Sequence, residues 1–190
     1  MLKMILLISS MLLLLTACQK EAEPKPEPVA KKLDVPPALT LTSTAFVDGG
    51  EIPRVFTCDS SDISPALMWS GIPDDAQSMA LIVDDPDAPD QTWVHWVVYG
   101  IRTADSALTE GTPAVPELPN GARQGLNDFG KYGYGGPCPP NGVHRYFFKL
   151  YALDIVPNLP DKATKQQLLD AMEGHILAQS QIIGTYSRSK

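Results

Sequence analysis

Apolar residues fall in short strand-like stretches separated by connections rich in proline and glycine. Leu39-Thr40-Leu41-Thr42-Ser43 alternates apolar and polar positions, the period of a half-buried strand. Met79 to Val83 is a short apolar run ending at an acidic turn, and Trp93 to Ile101 is aromatic and β-branched. Tyr146 to Leu153 reads as a third strong strand, and Ile182 to Tyr186 as a last one. Helical spacing is clear only near the end. Ala163, Leu168, Leu169, Met172 and Ile176 fall roughly on one face, with Asp161 as the expected cap. The chain is therefore expected to be mostly β, with one or two terminal helices. No internal repeat and no second folded domain is visible.

Composition sharpens this picture. Among 190 residues there are 18 prolines and 14 glycines, which argues for a loop-rich fold over a helical bundle. The longest connection, Gly111 to Gly142, is long enough that a functional role is expected of it. The net charge of −7, with no basic run, disfavours nucleic acid as a partner, because phosphate backbones need clustered Lys and Arg. A pocket for one small anion is still compatible with an acidic surface.

Residues 1–37 differ in kind from the rest. Lys3 and the apolar run Met4 to Leu15 have the form of a targeting segment too short to span a bilayer. Leu15-Thr16-Ala17-Cys18 resembles a bacterial lipobox, so residues 1–17 are expected to be a lipoprotein signal peptide and Cys18 the lipidated N-terminus. Loss of Lys3 with the leader makes the remaining chain still more acidic. Gln19 follows in place of aspartate, which favours the outer membrane, facing the periplasm, where the host has one. Residues 18–37 carry Pro24, Pro26, Pro28, Pro36 and Pro37 among Glu and Lys and read as an extended linker of roughly 60 Å reach. The folded domain is expected over 38–190. In an oxidising compartment the two remaining cysteines, Cys58 and Cys138, are expected to form a disulfide.

The candidate chemistry lies in two stretches. In one, Asp84-Asp85-Pro86-Asp87-Ala88-Pro89 precedes Trp93-Val94-His95-Trp96; in the other, Tyr134-Gly135-Gly136-Pro137-Cys138-Pro139-Pro140-Asn141-Gly142 precedes His144-Arg145-Tyr146. Each places a histidine where a loop meets a strand, a common position for binding residues. Glycines allow a ligand close to the backbone, prolines stiffen the loop, and free amides there can form an anion nest. The alternative for each is a capped turn with a core histidine, or a rigid structural loop. The third histidine, His175, is placed on the terminal helix in a structural or rim role.

These two stretches resemble the signature regions of the phosphatidylethanolamine-binding proteins, also called Raf-kinase-inhibitor-like proteins. Phe56-Thr57-Cys58-Asp59 with Ile63-Ser64-Pro65, Trp69 to Pro73, and Gln124 to Gly130 add to the resemblance, which runs from about Leu39 to Tyr186 and is strongest to the bacterial and archaeal YbhB/YbcL-type branch. It implies a central β-sandwich with short peripheral and C-terminal helices and a shallow pocket at one end. It implies a cis peptide, mapped to Asp85-Pro86. It implies a ligand set of Asp85, Pro86, Asp87, Pro89, Trp93, His95, Gly136, Pro137, His144 and Tyr146, open to phosphate-like anions and head groups such as phosphorylethanolamine. In such a site imidazole N–H groups, a tyrosine hydroxyl and backbone amides would donate to the phosphate. Asp85 or Asp87 would orient a histidine and raise its pKa, and a carboxylate or Trp93 would meet an ammonium. The eukaryotic relatives carry a longer C-terminal helix over the pocket, so a lid is expected to be absent or built differently here.

Other readings have less behind them. Two His and two Asp could hold a metal, but no short ligand spacing such as HExxH or CxxC is present. Ser, His and Asp occur without a GxSxG elbow, so no hydrolase and no catalytic residue is identified. Neither a cofactor nor a metal is expected. A protein-interaction role, as an inhibitor of a protease or a kinase, is the stronger alternative to head-group binding.

Overall fold

The computed structural model describes residues 38–188, and the expected signal peptide, Cys18 and linker lie outside them. Two antiparallel sheets pack face to face. The smaller has strand order β1-β2-β5, from β1 (Thr40–Ser43), β2 (Leu67–Ser70) and β5 (Ala107–Leu108). The larger runs β6-β4-β3-β7-β8, from β3 (Ser78–Asp85), β4 (Trp93–Ile101), β6 (Arg123–Gln124), β7 (Val143–Leu153) and β8 (Ile176–Ser187). A 3-10 turn, Arg54–Phe56, and one α-helix, α1 (Lys165–Met172), complete the described elements. This is the mostly β sandwich expected.

The main core lies between the sheets. Leu41, Leu67 and Trp69 of the small sheet meet Leu81, Val83, Trp96, Val98, Phe148 and Leu150 of the large one. A second, smaller core covers the opposite face of the large sheet, where Ala80, Ile82, Val97 and Tyr99 meet Ala163, Leu168 and Met172. β3 is thus buried on both faces along its whole length. That is why Met79 to Val83 is a continuous apolar run and does not alternate.

Three local expectations are corrected. The helix is capped by Thr164, not Asp161: the Thr164 hydroxyl accepts from the Gln167 amide while the Gln167 side chain accepts from the Thr164 amide. This reciprocal cap satisfies two amides that otherwise have no partner. Asp161 pairs instead with Arg123. Gly174, at φ 77°, ends the helical segment, so Ile176 opens β8 and the last described element is a strand. His175 lies between the two, its Nδ1 2.8 Å from the Asp154 carboxylate.

Candidate functional site

Strand alternation divides the acidic stretch between two faces of the large sheet. Asp84 points to the helix-covered face. It is fully buried, and both its oxygens accept from Lys149 Nζ, at 2.8 and 3.0 Å, with Lys165 Nζ at 2.5 Å. Asp85, the last residue of β3, turns to the other side, where its Oδ2 accepts from Nδ1 of His144 at 2.7 Å. Its Oδ1 accepts from the Asp87 amide at 2.8 Å. That bond reverses the chain, so the turn closes with Asp85–Pro86 trans. The expected cis peptide is corrected, and no cis bond occurs among the described residues.

His95 reaches the same end of the sheet by a bulge. Val83 pairs with Trp96 and Asp84 with Val94, leaving His95 as the extra residue on β4. An inserted residue twists the strand and re-aims its side chain. His95 is buried, and its Nδ1 lies 2.5 Å from the Gly135 carbonyl. Its ring meets Tyr146 edge-on, with centroids 5.1 Å apart, and Phe129 edge-on at 5.5 Å. Burial pushes its pKa down, against the upward pull of the Gly135 carbonyl and of the charges on Asp85, Asp62 and Asp84. Asp85 does pull this imidazole's pKa upward, as expected of a neighbouring aspartate, but burial outweighs it. Asp87 orients neither histidine: it forms a paired contact with Arg145, which holds its carboxyl below the usual value.

Both imidazoles face one hollow of about 380 Å³, lined by Asp85, Ala88, Pro89, Trp93, His95, Phe129, Cys138, Pro139, Pro140, His144 and Tyr146. Six residues of the expected ligand set are in this wall: Asp85, Pro89, Trp93, His95, His144 and Tyr146. The other four lie behind it. Pro86 and Asp87 form the turn. Gly136 sits so close to the 56–62 loop that a Cβ would collide with Asp62 and the Phe56 carbonyl, and its amide donates to Asp62 Oδ1 at 2.7 Å. The Pro137 carbonyl accepts from the Cys58 amide. With the Gly135 amide bonded to the His95 carbonyl, these two glycine amides are spent on holding the loop. They do not form the expected anion nest.

Cys58 and Cys138 form a disulfide that fastens this loop to the 56–62 segment. Among the buried side-chain polar atoms of the described residues, the Tyr146 hydroxyl alone meets no partner at hydrogen-bonding geometry. Burial and the charges of Asp85 and Asp87 hold it protonated, outweighing the nearby Cys138 amide.

Phe129, Ala88, Pro139 and Pro140 were missed in the sequence. Phe129 stands on a turn made by its neighbours. Asn127 Oδ1 accepts from the Phe129 and Lys131 amides, and Asp128 Oδ2 accepts from the Val94 amide. Trp93 meets Phe129 edge-on at 5.5 Å, so the aromatic wall is continuous from Trp93 to Tyr146. Gln124 to Gly130 was visible as a motif, but nothing in a linear sequence shows that its one aromatic residue lands over His95.

Comparison with known proteins agrees with this architecture. The family model described as phosphatidylethanolamine-binding protein matches residues 42–187. A UPF0098 protein of Methanothermobacter thermautotrophicus is 52% identical over 150 residues, covering 79% of this chain and 99% of the relative. Among solved structures, a putative phosphatidylethanolamine-binding protein homologue from Chlamydia trachomatis is 44% identical, with a TM-score of 0.74, covering 80% of this chain and 99% of its own. Escherichia coli YbcL, described as a member of the mammalian family, is 32% identical with the same TM-score, covering 80% of this chain and all of its own. None of these names indicates a catalytic function. With the family model spanning both sheets and the hollow at their end, the chain belongs to the phosphatidylethanolamine-binding protein family.

Proposed function

We propose that the domain is a non-enzymatic binding module for a small anion of the phosphate type, with phosphorylethanolamine as the reference ligand. The observation that carries the reading is the convergence of His95, His144 and the partnerless Tyr146 hydroxyl on one hollow. A buried hydroxyl without a partner is costly, and a ligand that accepts its hydrogen bond offsets that cost. The hollow also suits a head group with two ends. The imidazoles and Tyr146 take the anionic end, while Trp93, Phe129 and Asp85 offer aromatic faces and a carboxylate to an ammonium. Pro86, Asp87, Gly136 and Pro137 act in this reading by holding the wall in place.

Calorimetric titration with inorganic phosphate and phosphorylethanolamine tests the proposal. One saturable site is expected, weakened at least tenfold in His95→Ala and in His144→Ala. Absence of saturable binding, or binding indifferent to both substitutions, would overturn it. We further propose that Cys18 carries a lipid that tethers the domain to the cell envelope. Labelling of cells with a fatty-acid probe should mark the wild-type chain and not Cys18→Ala; equal labelling of both would refute the tether.

A further inference from the structure

Resting on the anion-binding reading above, we infer that this pocket takes up a proton together with an anion whose atoms can only accept hydrogen bonds, the proton going to Nε2 of His95 or His144. The Gly135 carbonyl can only accept, so Nδ1 of His95 carries the hydrogen of the neutral ring. Asp85 already accepts from the Asp87 amide through one oxygen, and its other oxygen receives Nδ1–H of His144. In both rings the nitrogen left over is Nε2. Neither Nε2 has a hydrogen-bond partner among the described residues, and neither is sealed from the solvent of the hollow.

A neutral imidazole with Nδ1–H presents a lone pair at Nε2. Two lone pairs facing a sulfate or a fully ionised phosphate ester repel it. One added proton turns one lone pair into a charged donor and the repulsion into a charge-assisted hydrogen bond. The amides of Gly136 and Gly135 are committed to Asp62 and to the His95 carbonyl.

The charged surroundings can support the proton. His95 is faced by Asp85 and Asp84 from β3, by Asp62 from the 56–62 loop and by the Tyr146 hydroxyl from β7; burial alone opposes its charging. His144 is faced by Asp85 from β3, by Asp87 from the turn and by Tyr186, its partner across β8, while neighbouring Arg145 is tied to Asp87. A ligand bearing its own acidic hydrogen, such as a monoprotonated phosphate ester, can supply the proton itself. The pocket thereby prefers that form above the imidazole range.

Sulfate is the discriminating probe, since it brings no proton at neutral or alkaline pH. Titration of the full-length protein with sulfate, in buffers of different ionisation enthalpy, should give about one proton taken up per anion. The affinity should weaken about tenfold per pH unit between pH 7 and 9, above the ordinary imidazole pKa. A glutamine amide donates without titrating, so His95→Gln or His144→Gln, whichever removes the proton-taking ring, should abolish the slope. Nitrogen-15 spectra should show one Nε2 changing from unprotonated to protonated as sulfate is added.

Sulfate binding with constant affinity and no proton uptake would overturn the inference and leave anion binding standing, as would a slope retained in both glutamine variants. Phosphate binding with sulfate excluded down to pH 5 would also overturn it, because the histidines would then never become donors. Failure of sulfate, phosphate and phosphorylethanolamine alike to bind at any pH would instead overturn the functional reading beneath it.

Discussion

Asp84 and Asp85 are neighbours in the chain, both buried, and have opposite fates. Asp84 is enclosed by two ammonium groups on the face that packs against the helix. Asp85 has one imidazole and one amide, and it borders a hollow. Alternation along β3 is enough to send one carboxylate to a closed ion cluster and the next to an open pocket. A buried charge gains a structural role when every neighbour is a fixed partner. It becomes available for binding when one neighbour, here His144, has a second polar atom left over.

The disulfide belongs to the pocket end alone. Pro139 and Pro140 have no amide to donate, and Asn141 and Gly142 donate no backbone hydrogen bond among the described residues. The Cys58–Cys138 bridge is the covalent tie of that wall, beside the hydrogen bonds made by Gly135, Gly136 and the Pro137 carbonyl. It joins positions 80 residues apart, a span for which chain-entropy arguments give about 4.5 kcal/mol. The double variant Cys58→Ser/Cys138→Ser should melt roughly 10 °C lower and bind phosphate about tenfold more weakly, about 1.4 kcal/mol. Calorimetry reads both, and unchanged phosphate affinity would show that the wall holds without its staple.

The two aspartates should then separate. Asp84→Ala leaves two lysines without their buried partner and should cost about 3 kcal/mol of stability, with phosphate affinity unchanged. Asp85→Asn keeps a side chain of the same shape but removes one of two needed acceptors. Its stability loss should be smaller, about 1 kcal/mol, while phosphate affinity falls about tenfold as His144 loses its orientation. Denaturant melts paired with titrations decide the matter. If both variants lost stability and affinity in the same proportion, the division of the strand into a structural face and a binding face would be wrong.

How much of this was legible in the sequence follows from which interactions are local. Trp93 to Ile101 was placed to the residue, because a β-branched and aromatic run bounded by turn residues has few alternatives. β8 was found only from Ile182, because its first half, with exposed Ile176, Leu177, Gln179 and Gln181, has no buried face to impose a pattern. Helical spacing was carried across Gly174 to Ile176 by arithmetic that a glycine at positive φ interrupts. In the site, the motifs named the right loops, but not which residues face inward. Gly136 and Pro137 read as ligand contacts because glycine and proline mark close approach. The body they approach is the 56–62 loop. The lowered pKa of His95 was out of reach, because it depends on burial by Phe129 and Tyr146, which only the folded chain brings together.

The smallest expected effect concerns the dependence of stability on acid, and it separates the two faces without removing either carboxylate. Burial lowers the folded-state pKa of His95 below the 6.5 of an unfolded imidazole. As pH falls below 6.5 the unfolded chain binds this proton first, so stability declines until the lower folded value is reached. Asp87 and Asp105 are shifted below 3.8 by Arg145 and Arg102, and what they contribute is lost only at still lower pH. The interval from pH 6.5 to about 5 therefore isolates the imidazole contribution. Urea melts across it should show stability falling with pH in the wild type and falling less in His95→Gln. Asp84→Ala should start lower and keep a slope at least as steep as the wild type, since it also loses the small upward pull of Asp84 on His95. Sulfate should flatten the wild-type slope, because the liganded pocket binds the proton that the empty folded pocket resists. A wild-type slope that sulfate leaves untouched would mean that no proton is taken up with the anion, and would overturn the inference.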